Sequence, residues 1–353
     1  MKAWVYERYG SPDVLRFEEV ETPTPAGDEV AVRVHAAGLN AADWHVMRAD
    51  PFLVRLRFGL RRPRRPRIAG CDVAGLVEAV GEDVTRFSSG DRVFGEVGFE
   101  GGLAELATAR ADRIALMPSK CTFEQAAAIP VAGVTALRAI RDAGRVGPGT
   151  TVLLIGASGG VGTFALQIAR ALGGVVTAVC GPAAAELVSS LGAAEVIDYT
   201  AAEYVDAGRT YDVVVNNGGT HSLRSLRRTL TVRGTLAAVG GSQHGGLFGP
   251  GGIAMRGKLV APFVSQRIVA VEGESNEADL TTLASMIEAG DVTPVIDRVY
   301  PFGDAPDALR YVENGHPKGK VVVTVGDERS EGDERVGAER RSRVEGSISG
   351  SME

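Results

Sequence analysis

Two hydrophobic rhythms divide this chain. Up to about Phe123 the apolar positions recur with a period of two over short runs: in EVAVRVHAAG, Val30, Val32 and Val34 alternate with Arg33 and His35. Such alternation puts one face on a core and the other in water, as in half-buried strands. The glycine-punctuated runs DVAGLVEAVG and DRVFGEV extend the pattern, with turns expected at Gly27, Gly81 and Gly90. A twisted, barrel-like antiparallel domain is the expectation, and His35 is read as a surface position.

From about Phe123 the texture changes. FEQAAAIPVAGVTALRAI is alanine-rich and helical, interrupted at Pro130, and strands then alternate with helices: TTVLLIG, VGTFALQIARAL, VVTAVC, AAAELVSSLG, EVIDY, YDVVVNN, SLRSLRRTL and GTLAAVGG. These strands are apolar throughout, which a parallel sheet buried on both faces requires. Successive βαβ units of this kind give a doubly wound sheet with right-handed crossovers. RIVAVEG and DLTTLASMIEAG continue as strand and helix, and VTPVIDRVYPF and KGKVVVTV supply strands that return to the first domain. The expected organisation is α/β, with a β-rich domain over 1–124, a dinucleotide-type domain over 125–265 and a return over 266–326. The last 27 residues, 327–353, hold eight acids and five arginines with almost no large apolar groups, so they are expected to be disordered.

Composition narrows the chemistry. At 353 residues, two domains with sizeable cores are expected. A net charge of −6 gives no overall pull toward nucleic acid or membrane, and no window is long and apolar enough to span a bilayer. No continuous apolar segment marks the N-terminus as a leader, so a cytoplasmic protein is expected. The three cysteines, Cys71, Cys121 and Cys180, are widely spaced, and the five histidines form no ligand motif. Neither a disulfide framework nor a protein-bound metal is expected. The 46 glycines, about twice the usual share, direct attention to backbone geometry.

The glycines that matter most follow the strand TTVLLI: Gly156-Ala157-Ser158-Gly159-Gly160-Val161-Gly162, leading into a helix. A diphosphate can approach a helix N-terminus, with its free N–H groups and positive dipole end, only where no side chain intervenes. Against G-x-G-x-x-G, Ala157 stands at the first position and Gly159 and Gly162 at the second and third; strand, helix and βαβ context complete the dinucleotide signature. The triphosphatase loop is excluded, because Thr163 and not Lys follows Gly162. About 20 residues on, where an acid usually meets a ribose or an Arg a 2′-phosphate, the chain reads Cys180-Gly181-Pro182-Ala183-Ala184. Cofactor preference is not written there.

With GLNAADWHVMR, IAGCDVAGLVEAVG, GDRVFGEV, AAAIPVAGVTAL, IGASGGVGTFALQIA, LGAAEVIDYT and GHPKGKVVV in order, the chain resembles the zinc-independent quinone oxidoreductase branch of the medium-chain dehydrogenase/reductase superfamily over about residues 1–325. The resemblance implies a GroES-like catalytic domain around a Rossmann domain, NADPH in the cleft (NADH remaining possible), and hydride transfer to a quinone or α,β-unsaturated carbonyl. It also implies a homodimer. Zinc-dependent relatives place Gly-His-Glu where this chain has Gly70-Cys71-Asp72, and carry a four-cysteine lobe missing here. By resemblance Ser158, Gly159, Gly160, Val161 and Gly162 hold the pyrophosphate, and Tyr199 approaches the adenosine ribose. Thr135, Asn217, Gly240, Phe263 and Val264 line the nicotinamide side, and His316, Pro317 and Lys318 belong to a segment that closes over the cofactor. Two departures stand out: Gly181-Pro182-Ala183-Ala184 lacks the usual 2′-phosphate partners, and Asn216-Asn217-Gly218-Gly219-Thr220 replaces the common Asp-Asn-Val-Gly-Asn.

Hydride transfer asks the protein for orienting donors rather than a nucleophile. Asn40 is the candidate donor to a substrate carbonyl, or a loop turn; Asp43 and His45 are candidate proton relays, or a helix cap and a surface imidazole. Asp72, an acid within a strand pattern, is either catalytic or the holder of the Asn40 loop. Seven arginines between Arg55 and Arg67, without an acid among them, form a solvated proline-stiffened loop, a lid for an anionic substrate or a contact for an acidic partner. A dinucleotide-binding protein without efficient turnover, or a recruited biosynthetic enzyme of the same fold, is the alternative to a reductase.

Overall fold

The computed structural model describes residues 1–326 except 51, 99–100, 206–207, 240–255, 258–259, 261–263, 272 and 316. Gly240, Phe263, His316 and the segment 327–353 therefore lie outside the described residues.

The N-terminal strands are β1 (Lys2–Tyr6), β2 (Arg16–Glu19), β3 (Glu29–Leu39), β4 (Arg67–Ile68), β5 (Asp72–Val80), β6 (Arg92–Glu96), β7 (Leu106–Arg110) and β8 (Ile114–Leu116). They are followed by β9 (Thr151–Ile155), β10 (Val175–Cys180), β11 (Glu195–Asp198), β12 (Tyr211–Asn216), β13 (Leu230–Ala238) and β14 (Arg267–Ala270), then β15 (Ile296–Pro301) and β16 (Lys320–Thr324). One sheet runs β15-β16-β3-β5-β6-β8, with β7 also on β3, and a small sheet runs β2-β1-β4. β16 pairs antiparallel with β3, from Val321 opposite Leu39 to Thr324 opposite Ala36. β16 thus completes a sheet begun by β3, nearly 300 residues earlier.

The period-two reading of β3 holds for its valines: Val30, Val32 and Val34 are buried and Arg33 is exposed. His35 is a correction. The helix Phe123–Ala127 covers this part of the sheet, and the His35 ring stacks on Phe123 at 4.3 Å instead of facing water. The Arg92 guanidinium also lies near that phenyl ring, 4.8 Å from its centre.

The second sheet has the order β11-β10-β9-β12-β13-β14, and its pairings are parallel. This is the 3-2-1-4-5-6 order of a Rossmann fold. The unbroken hydrophobicity of TTVLLI has its reason here: Val152 and Leu154 enter one core, and Leu153 and Ile155 the other. Each such side chain contributes roughly 1.5–3 kcal/mol when fully buried. The helices Pro130–Leu137 and Gly160–Ala171 pack on the first face, in a core that continues to Ala36, Ala74 and Phe94 of the β-rich domain. Pro130 starts its helix at a position where the missing N–H costs nothing.

Strand order reverses between β9 and β12, so the crevice for a ligand opens beyond the carboxyl ends of those strands.

Candidate functional site

The chain leaves β9 through Gly156, whose φ of +77° suits glycine alone; a Cβ there would lie 2.0 Å from the Asn217 carbonyl oxygen. The tight turn thus falls one residue before the position where the fingerprint aligns Ala157. The Gly156 and Ala157 amides both donate to the Val179 carbonyl, at 3.1 Å. Gly162 lets the following helix press onto this turn, since a Cβ would fall 2.1 Å from the Gly156 oxygen. Gly159, the N-cap of that helix, differs from both. Its backbone is extended, and a Cβ there would come no nearer than 3.8 Å to the Gly156 carbonyl oxygen. An open space therefore adjoins the first helical N–H groups, which no intrahelical carbonyl can satisfy.

The loop is fastened from above by the returning chain. Gly319 donates its amide to the Ser158 carbonyl at 2.8 Å, and a parallel bridge links Gly159 with Gly319. Lys320 follows, its Cδ 2.8 Å from where a Cβ on Gly160 would stand. Its ammonium continues to the Asn40 Oδ1 and lies 3.5 Å from the Asp72 carboxylate. Both groups are buried, Lys320 at 3% exposure and Asp72 at 0%.

Asn40 and Asp43 sit in this cluster because they begin the helix Ala41–Arg48. The two form a capping box, with the Asn40 amide donating to the Asp43 carboxylate at 2.7 Å. The Asn40 side-chain amide donates to Asp72 at 2.8 Å and to the Cys71 sulfur at 3.4 Å. Asp72 also accepts the Val131 amide at 3.2 Å, tying β5 to the helix Pro130–Leu137. Burial pushes the Asp72 carboxyl up to about 7 against the pull of Lys320 and Asn40, and Asp43 up to about 6 against its hydrogen bonds. Burial likewise holds the Cys71 thiol well above its ordinary range.

The geometry separates the expected residues into groups. Ser158 and Gly159 meet Gly319, while Pro317 is half-buried and Lys318 exposed in the stretch just before it. Asn217 joins them, its side chain reaching the Gly156 carbonyl at 3.4 Å. Thr135 is half-buried one turn beyond Val131. Tyr199 stands beside Gly181, its ring edge 3.5 Å from that residue's Cβ position, and is half exposed. Val264 is half-buried after β13, and no contact places it in the crevice.

The structure gives partners to four of the residues read from the sequence. Asn40 is not a free donor: its carbonyl end is taken by Lys320 and its amide end by Asp72 and Cys71. Asp43 is a buried cap rather than a relay open to solvent. His45 holds the Asp50 carbonyl through Nδ1 at 2.8 Å and stacks on Trp44. Asp72 is the holder of the Asn40 loop.

Lys320 and Glu96 were missed. Glu96, buried at 3% exposure, accepts the Ser275 amide at 2.7 Å. Their signal was present in KGKVVV and VFGEV, where a charge enters an apolar strand and needs a partner.

Among the described residues, no group of His, Cys, Asp and Glu is arranged to hold a metal.

Two family patterns cover much of the chain: an alcohol dehydrogenase GroES-like domain over residues 26–119, and a zinc-binding dehydrogenase over 191–323. The chain is 33% identical over 371 residues to the mouse (Mus musculus) NAD(P)H oxidoreductase RTN4IP1, mitochondrial, covering 92% of this chain and 89% of the relative. It is 34% identical over 337 residues to the tomato (Solanum lycopersicum) 2-methylene-furan-3-one reductase, covering 92% and 79%. The Escherichia coli quinone oxidoreductase solved with NADPH superposes with a TM-score of 0.78 at 25% identity, over 92% of this chain and 100% of that one. On sequence, fold and glycine loop together, the chain belongs to the quinone oxidoreductase branch of the medium-chain dehydrogenase/reductase superfamily.

Proposed function

We propose that this protein is an NAD(P)H-dependent oxidoreductase that reduces a quinone or an α,β-unsaturated carbonyl compound without zinc. The observation that carries the reading is the open space at Gly159, bordered by the N-terminus of the helix Gly160–Ala171 at the switch point of the sheet. The names of the mouse, tomato and Escherichia coli proteins support the cofactor and both acceptor classes.

The amides of Gly160, Val161 and Gly162 would hold the diphosphate, with the helix dipole offsetting its charge. A reduced nicotinamide bound in the crevice would supply a hydride to an electrophilic carbon of the acceptor. The chain's own contribution is positional. Asn217 braces the far wall against Gly156, and the Asn216 side chain accepts the Gly219 amide at 3.2 Å, fixing the loop after β12. Lys320 couples the glycine loop to Asn40 and Asp72, so cofactor wall and substrate-side loop keep one register. Tyr199 would border the adenosine ribose, and Thr135, Val264, Pro317 and Lys318 the rest of the cofactor.

Zinc is left out of the proposal although one family description names it. Cys71 is a buried thiol whose burial disfavours the thiolate a metal needs, and the Asp72 oxygens are already engaged by Asn40, Val131 and Lys320. The domain limits 1–124, 125–265 and 266–326, a homodimer and a cytoplasmic location belong to the same proposal. No described helix is long and apolar enough to cross a membrane.

Fluorescence titration with NADPH and NADH, followed by oxidation assays with a quinone and an enone before and after dialysis against a chelator, tests the reading. Binding with chelator-resistant turnover is expected. Binding without turnover on either acceptor favours the second reading, a dinucleotide-binding protein, which the mutual engagement of Asn40 and Asp72 already motivates.

A further inference from the structure

The arginines between Arg55 and Arg67 do two different jobs. Arg55 donates to the Leu60 carbonyl at 3.2 Å and lies over the Tyr9 ring; Arg67 is buried, bonds the Tyr6 hydroxyl and packs 4.2 Å from the Phe58 ring centre. Arg57 reaches Glu274 at 3.6 Å. These three hold the segment in place. Arg61, Arg62 and Arg64 are exposed, and no acid occurs between Asp50 and Asp72.

The loop that presents them has a defined shape. The Gly59 carbonyl accepts the Tyr9 hydroxyl at 2.8 Å, and the Arg64 amide returns to the Phe58 carbonyl at 3.0 Å. Arg55, Arg61, Arg62 and Arg64 border a hollow of about 430 Å³. Beside this charge stand three large apolar side chains within nine residues: Phe52, Leu56 and Leu60, exposed at 50%, 56% and 60%. A small anion would account for the arginines and leave these apolar groups in water. A surface that is anionic outside and hydrocarbon beneath accounts for both.

We propose that the segment 52–65 docks the protein peripherally on an anionic lipid bilayer. Arg61, Arg62 and Arg64 meet the head groups, while Phe52, Leu56 and Leu60 enter the interfacial layer. With a net charge of −6, the chain outside this loop is acidic on balance, which favours an orientation with the basic loop toward the anionic surface. The proposal does not rest on the reductase reading, because it requires neither cofactor nor turnover.

Sedimentation of the full chain with vesicles of phosphatidylcholine, alone or mixed with phosphatidylserine, tests it. Pelleting with the mixed vesicles only, released by high salt, is expected. R61Q/R62Q/R64Q should weaken binding by more than about tenfold, with each arginine near an anionic surface contributing a several-fold factor. L56S/L60S keeps the charge and should also weaken binding several-fold, with the thermal melt of both variants matching the parent. Failure of the parent chain to pellet with anionic vesicles overturns the proposal. So does full vesicle binding by L56S/L60S together with equally tight capture of poly-glutamate, which would mark a surface for acidic proteins.

Discussion

The stem of Lys320 occupies the space above Gly160, its Cδ 2.8 Å from where a side chain on that glycine would begin. The phosphate-type loop and the buried carboxylate cluster are therefore joined by one side chain, because the same lysine ends on Asn40 and Asp72. A cation in such a place is retained only while its partners are present.

Lys320→Met keeps the stem and deletes the charge. At pH 8, above the point near 7 where the Asp72 carboxyl ionises, Asp72 then lies buried at 0% exposure without its cation, and the loss should be about 3–5 kcal/mol in urea unfolding. Asp72→Asn in the same chain should restore part of it, since the two losses share one interaction. Strictly additive losses would show that the pair is not coupled.

The glycines of the loop should respond differently to substitution. Gly159→Val places methyls in the open space beside the helix N-terminus, where the backbone is extended and any residue is tolerated. The melting temperature should change little while dinucleotide affinity falls at least about a hundredfold, by the loss of two or more charge-assisted bonds. Gly162→Ala should instead unfold the domain at lower temperature, because its Cβ would meet the Gly156 oxygen at 2.1 Å. Calorimetry beside a fluorescence titration separates the two, and normal affinity in Gly159→Val would remove the phosphates from this loop.

How much of this was legible follows from what each signal measures. The apolar strands and the glycine run mark the Rossmann half, because burial on both faces and close backbone approach both leave local traces. The tight turn falls at Gly156, one residue before Ala157, because only the glycine takes positive φ without strain, and the Asn217 carbonyl, 61 residues away, then closes over it. Asn40 and Asp43 were legible as a group and Asp72 as a holder of their loop, but Lys320 was not: it is 280 residues from Asn40, and only the closed sheet brings β16 beside β3. His35 was misplaced for a similar reason, since a helix beginning at Phe123 covers it. Alternation along one strand reports its two faces, but not what another segment later lays upon them.

Cofactor choice should be adjustable at the turn Pro182–Ala184, where Pro182 and Ala183 are exposed and no cation stands where a 2′-phosphate would approach. Ala183→Arg adds a planar donor without disturbing buried atoms. The NADPH-to-NADH affinity ratio should rise about tenfold, the value of one charge-assisted pair at a partly exposed site. An unchanged ratio would place the adenosine ribose elsewhere than beside Tyr199.

Acidity should stabilise this protein through its buried carboxyls. Asp72 is raised to about 7 and Asp43 to about 6, both chiefly by burial, whereas unfolded aspartates titrate near 3.9. Between roughly pH 4 and 7 the folded state keeps protons that the unfolded chain has released, so stability falls as pH rises across that window. Each group contributes a slope of about 1 kcal/mol per pH unit where only the folded form is protonated. Asp72→Asn removes one of the two, and the stability difference between parent and variant should shift in the variant's favour from pH 5 to pH 7. Urea midpoints at the two pH values measure it, and a constant difference would mean that Asp72 is already ionised at the acid end, held by Lys320.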